Sequence, residues 1–160
     1  MNTWLTDIIR KTNERPFSEA DVARITAYYA KLPARLRLCE ELERLESGLA
    51  RRLHEELGKR HPERLVYSRP LAQDLVESLR HLNLSILADD PRLLRYRWTE
   101  HLTRLLPELG VDPAEIRDAY LILREILESR LTGSSWEVFR PAFDEMTDAL
   151  TAVPTPSVTV

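Results

Sequence analysis

Glycine is scarce in this chain, with four in 160 residues, and runs of alternating β-branched residues are almost absent. Together these shortages argue against sheets and for an all-α domain. A single cysteine, Cys39, excludes an internal disulfide framework and makes a reducing cytoplasm the default compartment. No apolar run approaches the roughly eighteen residues that a membrane span needs. The opening MNTWLTDIIRK has a short apolar stretch with an acid inside it, which does not read as a secretory signal. Basic charge is not in excess either: 23 Lys and Arg face 26 Asp and Glu, for a formal net charge of −3, so no nucleic-acid partner is expected. What is present is ordinary globular composition, 43% hydrophobic and 31% charged, in one domain long enough to fold without a staple.

Familiar catalytic patterns are missing too. There is no glycine-rich phosphate loop, no Cys-x-x-Cys, no His-Glu-x-x-His and no Gly-x-Ser-x-Gly. His54-Glu55-Glu56 lacks the second histidine of a zinc helix, and acid pairs such as Glu40-Glu41 fall on a helix surface. The expectation is a protein without catalytic residues or metal ligands, and not an enzyme.

Proline and capping residues cut the chain into helices. Thr3 to about Lys11 forms a first short one. Ser18, followed by Glu19 and Asp21, caps a second that Leu32-Pro33 should break near Lys31. A long third helix, from about Ala34 to Lys59, carries the stripe Leu38, Leu42, Leu45, Leu49, Leu53 and Leu57. His61-Pro62 ends it, and the next helix is expected from about Pro70 to Ala88. Asp90-Pro91 and Asp112-Pro113 each place a capping acid before a proline at the first helical position. The first of these helices should run through Arg104, stopped by Pro107 and Gly110. The second buries Ile116, Tyr120, Leu123, Ile126 and Leu127. The last helix, to about Leu150, contains Pro141, so it starts near Arg140 or kinks there. Residues 1–151 then form one domain of seven to eight helices, a globin-like number, and residues 152–160 a disordered tail.

One row of polar side chains stands out. In the helix around SRPLAQDLVESLRHLNLS, residues 68 to 85, Asp74, Ser78, His81 and Ser85 line up beside the apolar stripe Leu71, Leu75, Leu79, Leu82 and Ile86. On the following helix Trp98, His101, Leu102 and Leu105 share a face. Spacing alone leaves two readings open, core histidines bonded to backbone or the lining of a ligand cavity.

The segment QDLVESLRHLNLSILADDPRLLRYRWTEHLTRLLPELG, residues 73 to 110, resembles the chromophore-holding segment of phycobiliproteins. Asp74, Leu79-Arg80, Asp90, Leu94, Arg97, Leu102 and Leu109-Gly110 fall where that family's pattern has them. The likeness extends upstream through PFSEADVARITAYYAKLPARLRLCEELERLESGLARRLHEELGKRHPERL, so it covers nearly the whole chain at low identity. It implies a globin-like fold with two extra N-terminal helices that form a partner face. The family ties its linear tetrapyrrole to a cysteine three residues before the conserved-pattern Asp. Here that position is Leu71, and the arginine beside the Asp is Gln73. No thioether is available, which argues against an antenna subunit.

The resemblance implies a role for each residue around that position. Asp74 would accept hydrogen bonds from pyrrole N–H groups. Arg69 and Arg80 would pair with propionates, Trp98 and Leu105 would form an apolar wall, and His81 or His101 would donate to a ring carbonyl, with Gln73 and Ser78 alongside. The function expected is non-covalent binding of a bilin such as biliverdin, for pigment sensing, storage or protection. Two alternatives stand beside it. One is a cofactor-free globin-like sensor or interaction domain, in which Asp74 only complements the dipole of a helix starting at Pro70. The other is a haem-binding globin ligated through His101 or His81. Trp4, Ile8, Ile9, Phe17, Tyr28 and Tyr29 exceed what two short helices bury, so a homodimer through the N-terminal helices is expected.

Overall fold

Each acid or hydroxyl expected to start a helix does so. Ser18 and Asp21 form a reciprocal capping box, the Asp21 amide donating to Ser18 Oγ at 3.2 Å and the Ser18 amide to Asp21 Oδ2 at 3.0 Å. These bonds, with Arg15 at 2.8 Å, hold the Asp21 carboxyl well below the usual carboxylate range. Asp90 and Asp112 cap the helices that begin at Pro91 and Pro113. The computed structural model describes residues 3–12 and 15–152, apart from the side chains of residues 3 and 64–66. The tail expected after residue 151 therefore lies, from residue 153 on, outside the described residues.

The elements are α1 (Thr3–Thr12), α2 (Glu19–Arg60), a 3-10 turn (Pro62–Arg64), α3 (Leu65–Ala88), α4 (Pro91–Leu94), a π-helical turn (Arg95–Thr99), α5 (Glu100–Glu108), α6 (Pro113–Glu128) and α7 (Gly133–Thr151). No strand occurs among the described residues, and the all-α, globin-like class stands.

Several boundaries differ from expectation, most of them at prolines: Pro107 lies inside α5 and does not stop it, and a π-helical turn divides the helix expected from Pro91 to Arg104. Pro33 does not break the chain: the second and third expected helices are one, α2. An interior proline forfeits a backbone hydrogen bond and costs about 3 kcal/mol. Burial along the rest of the helix offsets it, since Leu38, Leu42, Leu49, Leu53 and Leu57 are all buried. Upstream of the proline, the Tyr28 hydroxyl donates to the Leu87 carbonyl at 3.2 Å. Pro70 likewise lies inside α3, which begins five residues earlier at Leu65. Pro141 lies inside α7, which begins at Gly133 under a Thr132 cap. Glu41 of α2 reinforces that cap by accepting from the Thr132 amide (2.9 Å), the Thr132 hydroxyl (3.0 Å) and the Ser135 hydroxyl (2.8 Å). Burial pushes the Glu41 carboxyl up, but these bonds outweigh it and hold the group below its ordinary value.

The core is built from α2, α3, α6 and α7, with Leu53, Leu82, Leu123, Leu127, Phe139 and Leu150 at zero exposure in its centre. A buried arginine ties the end of α3 to α2: Arg35 reaches Asp89 at 2.5 Å, and Asp89 holds φ +52°, a left-handed turn that aspartate tolerates. At the N-terminus Trp4 and Ile8 are buried within the chain. Trp4 meets Tyr28 edge-on at 5.4 Å, with the Arg24 guanidinium 4.8 Å over its ring. Ile9, Phe17, Val22, Tyr29 and Leu36 stay exposed.

Candidate functional site

The polar row on α3 divides into two ends with different surroundings. Ser78 is 1% exposed and makes a full set of bonds. Its hydroxyl donates to the Asp74 carbonyl (2.9 Å), accepts the Trp98 indole N–H (2.8 Å) and meets the Tyr120 hydroxyl (2.7 Å). A serine has one proton to give and that proton is spent, so Tyr120 is the donor in the third bond. Burial pushes the Tyr120 phenol up to about 12, so it keeps its proton. This network joins α3, the π-helical turn and α6 through three side chains. π-Turns of this kind often mark functional positions, and here the turn delivers Trp98.

His81 stacks on Trp98, with ring centroids 4.5 Å apart and 19° between planes. Burial holds its imidazole below the ordinary value, Glu77 pulling the other way and Arg97 adding to the depression. Ser85 is buried and donates to the Asp90 carbonyl at 3.0 Å. These residues fill space between helices.

Asp74 behaves differently. It stands at the edge of a cleft of about 450 Å³ with Leu57 and His61 of α2's end, Tyr67, Ser68, Pro70 and Leu71 of α3, and Gly110, Val111 and Glu115 where α5 passes into α6. Such a volume lies within the usual range for small-molecule pockets. Its walls are mixed: leucine, valine and proline surfaces with two carboxylates, a buried hydroxyl and an imidazole. Asp74 is exposed at the cleft edge, yet desolvation by the wall holds its carboxyl above the usual range, and Glu77 adds repulsion. Ser68 is 4% exposed and bonded to His54 Nδ1 at 2.7 Å, while His61 Nε2 lies 2.5 Å from Asp118 Oδ2. Tyr67 is 72% exposed at the rim, a flat ring with room to move.

Of the residues singled out from the sequence, Asp74 alone lines this cleft, with Ser78 bonded directly beneath it. Trp98 reaches the same place through Ser78. Gln73 and Arg69 are exposed on α3 outside the lining. Arg80 is engaged with Glu46 and Glu77 on the far side of the row. His101 is exposed on α5 and Leu105 half-buried there, neither among the cleft residues. The start of α3 also removes the structural reason for Asp74 that a helix beginning at Pro70 supplied. The carboxylate sits nine residues in from Leu65, and the helix dipole acts within the first turn.

The cleft residues that sequence reasoning missed on α3 follow from the same correction. Tyr67, Ser68 and Pro70 lie seven, six and four positions before Asp74, beside Leu71 on one helical face once α3 is extended to Leu65. Leu71, at the family's attachment position, shares the cleft with Asp74. A comparison with curated proteins gives no significant match. A family model described as phycobilisome protein matches residues 10–150, and the chain belongs to that family.

Proposed function

We propose that this protein binds a linear tetrapyrrole such as biliverdin without a covalent bond, in the cleft beside Asp74, as a cytoplasmic pigment-sensing, storage or protection protein. The observation that carries the reading is the shared position of Leu71 and Asp74. The side chain at the attachment position and the acid that meets ring N–H groups face one cavity. The raised Asp74 carboxyl supports it further. A partly desolvated carboxylate gains most from donors that replace lost water, and bilin N–H groups are such donors.

Leu57, Leu71 and Val111 supply apolar contact, and Tyr67 closes over an open ring face. Among the described residues no arginine lines the cleft, and the propionates of a bound bilin project into solvent near the exposed Arg69. When bound, the pigment supplies the absorption of visible light, and this chain's residues fix its shape and its protonation. Adding biliverdin to the purified protein is expected to sharpen and red-shift its absorption band. Asp74→Ala should shift the band back or abolish it. An unchanged spectrum at micromolar pigment would reject the reading.

The protein works as a homodimer in this account. Ile9, Phe17 and Tyr29 are each more than half exposed close to the α1–α2 connection, and a second copy would cover them. Sedimentation at high concentration gives the answer, and a monomer there removes this part.

A further inference from the structure

A second concavity lies on the opposite character of surface. It measures about 500 Å³ and is formed by the middle of α2 with the end of α6. Arg44, Arg51, Arg52 and Arg130 surround it, with Ser47 and Gly48 in its wall and Leu49 and Ile126 in its floor. The acids present are Glu55 and Glu56. Glu56 is held by Lys59 at 2.8 Å, and Arg51 stands 4.0 Å from Glu55, at the limit of pairing. Arg52 acts on Glu56 through charge alone, and neither its guanidinium nor that of Arg130 makes a side-chain hydrogen bond or ion pair among the described residues. Four guanidinium groups against two carboxylates leave this cleft positive on a chain whose net charge is −3.

Gly48 is the second observation. It sits inside the longest helix, where glycine costs about 1 kcal/mol relative to alanine. Nothing in the backbone requires it, since its φ is not positive, and nothing packs against it: a Cβ there would meet no atom within 4 Å. The missing side chain serves the open space of the cleft and no helix contact.

We propose that this cleft binds a diphosphate group, free or as part of a nucleoside diphosphate. Planar guanidinium forks from α2 and from Arg130 in the turn after α6 match adjacent phosphates, and the Ser47 hydroxyl and the glycine backbone leave room for close approach. The site is independent of the cleft at Asp74, on a different face of α2.

Isothermal titration of the full-length protein with inorganic pyrophosphate tests it. Binding is expected below about 1 mM, weakening at least about fivefold as salt rises from 50 to 200 mM. Arg52→Ala combined with Arg130→Ala should weaken it about tenfold or more. Gly48→Glu, which fills the cleft with bulk and negative charge while improving helix propensity, should abolish it with the melting temperature kept. A parallel titration with a nucleoside diphosphate separates a nucleotide from the free anion. Absence of heat with both pyrophosphate and the nucleoside diphosphate overturns the proposal. So does binding that both variants leave unchanged.

Discussion

The two ends of α3 carry similar polar residues to opposite purposes. Towards its C-terminal end, Ser78, His81 and Ser85 are taken up by Trp98, Tyr120 and the Asp90 carbonyl, and their hydrogen-bonding capacity is used inside the fold. Towards its N-terminal end, Asp74 and Ser68 border a cavity with Leu71, and the carboxylate is left partly dry. A row of polar side chains on a buried helix edge is therefore no site in itself. What distinguishes Ser78 from the Asp74 carboxylate is whether neighbouring elements supply the partner, since Ser68 beside Asp74 is itself bonded to His54 of α2. α6 and the π-helical turn do so at Ser78. Around Asp74 the chain instead passes through the α5–α6 connection, where Gly110 (φ +68°) has no side chain to fill the gap.

That difference can be broken from both sides. The largest effect is expected at the closed end. Ser78→Val strands the Trp98 indole N–H and the Tyr120 hydroxyl in a dry interior, which costs about 3 kcal/mol. Thermal melting should register it as a fall of several degrees. Next comes Glu41→Ala, which strips three acceptor bonds from the start of α7 and should cost about 1–2 kcal/mol at neutral pH. Its sign against pH is fixed. Glu41 titrates below its unfolded value, so its contribution is present above that value and is lost as pH falls through the folded one. Wild type and variant should converge in acid, as paired denaturation curves at pH 7 and pH 3 will show.

At the open end the stability effect is small and reversed. Asp74 titrates above its unfolded value, so in the empty protein the ionised carboxylate weakens the fold as pH rises through that range. Asp74→Asn should leave stability at neutral pH unchanged or raise it by about 0.5 kcal/mol, while removing the pigment band. Loss of stability on the scale of the Ser78 variant would mean that Asp74 belongs to the closed end after all. Leu71→Cys sharpens the point without altering the fold. A thiol there should add across the ethylidene double bond of a suitable bilin, the sulfur bonding to carbon and its proton passing to the pigment. Colour that survives denaturing electrophoresis would register the bond, and colour that runs off would place position 71 out of reach.

Much of this architecture was legible in the residues. Ser18, Asp90 and Asp112 announced three helices through local chemistry alone, and the leucine stripe of α2 needed only its spacing. Prolines misled for a physical reason. A proline in a helix interior is a local penalty, whereas the burial that overrides it at Pro33, Pro70 and Pro141 comes from other helices. Extending α3 to Leu65 then changes which residues flank Asp74, which is why Tyr67 and Ser68 went unnoticed while Asp74 itself did not. Trp98 and His81 were legible as polar-aromatic residues on adjacent helices, whereas His101, expected on the face of Trp98, is exposed. Whether they closed a core or lined a cavity depended on Tyr120, forty-two positions from Ser78, and no short-range pattern connects the two.

Leucine at position 71 has a further consequence if a pigment occupies the cleft. A thioether makes a chromophore a permanent part of its protein, fixed once at assembly. A hydrocarbon side chain leaves the molecule free to depart, so the fraction of coloured protein rises and falls with the surrounding supply. Such a protein reports how much pigment a cell contains, which a tethered antenna never does.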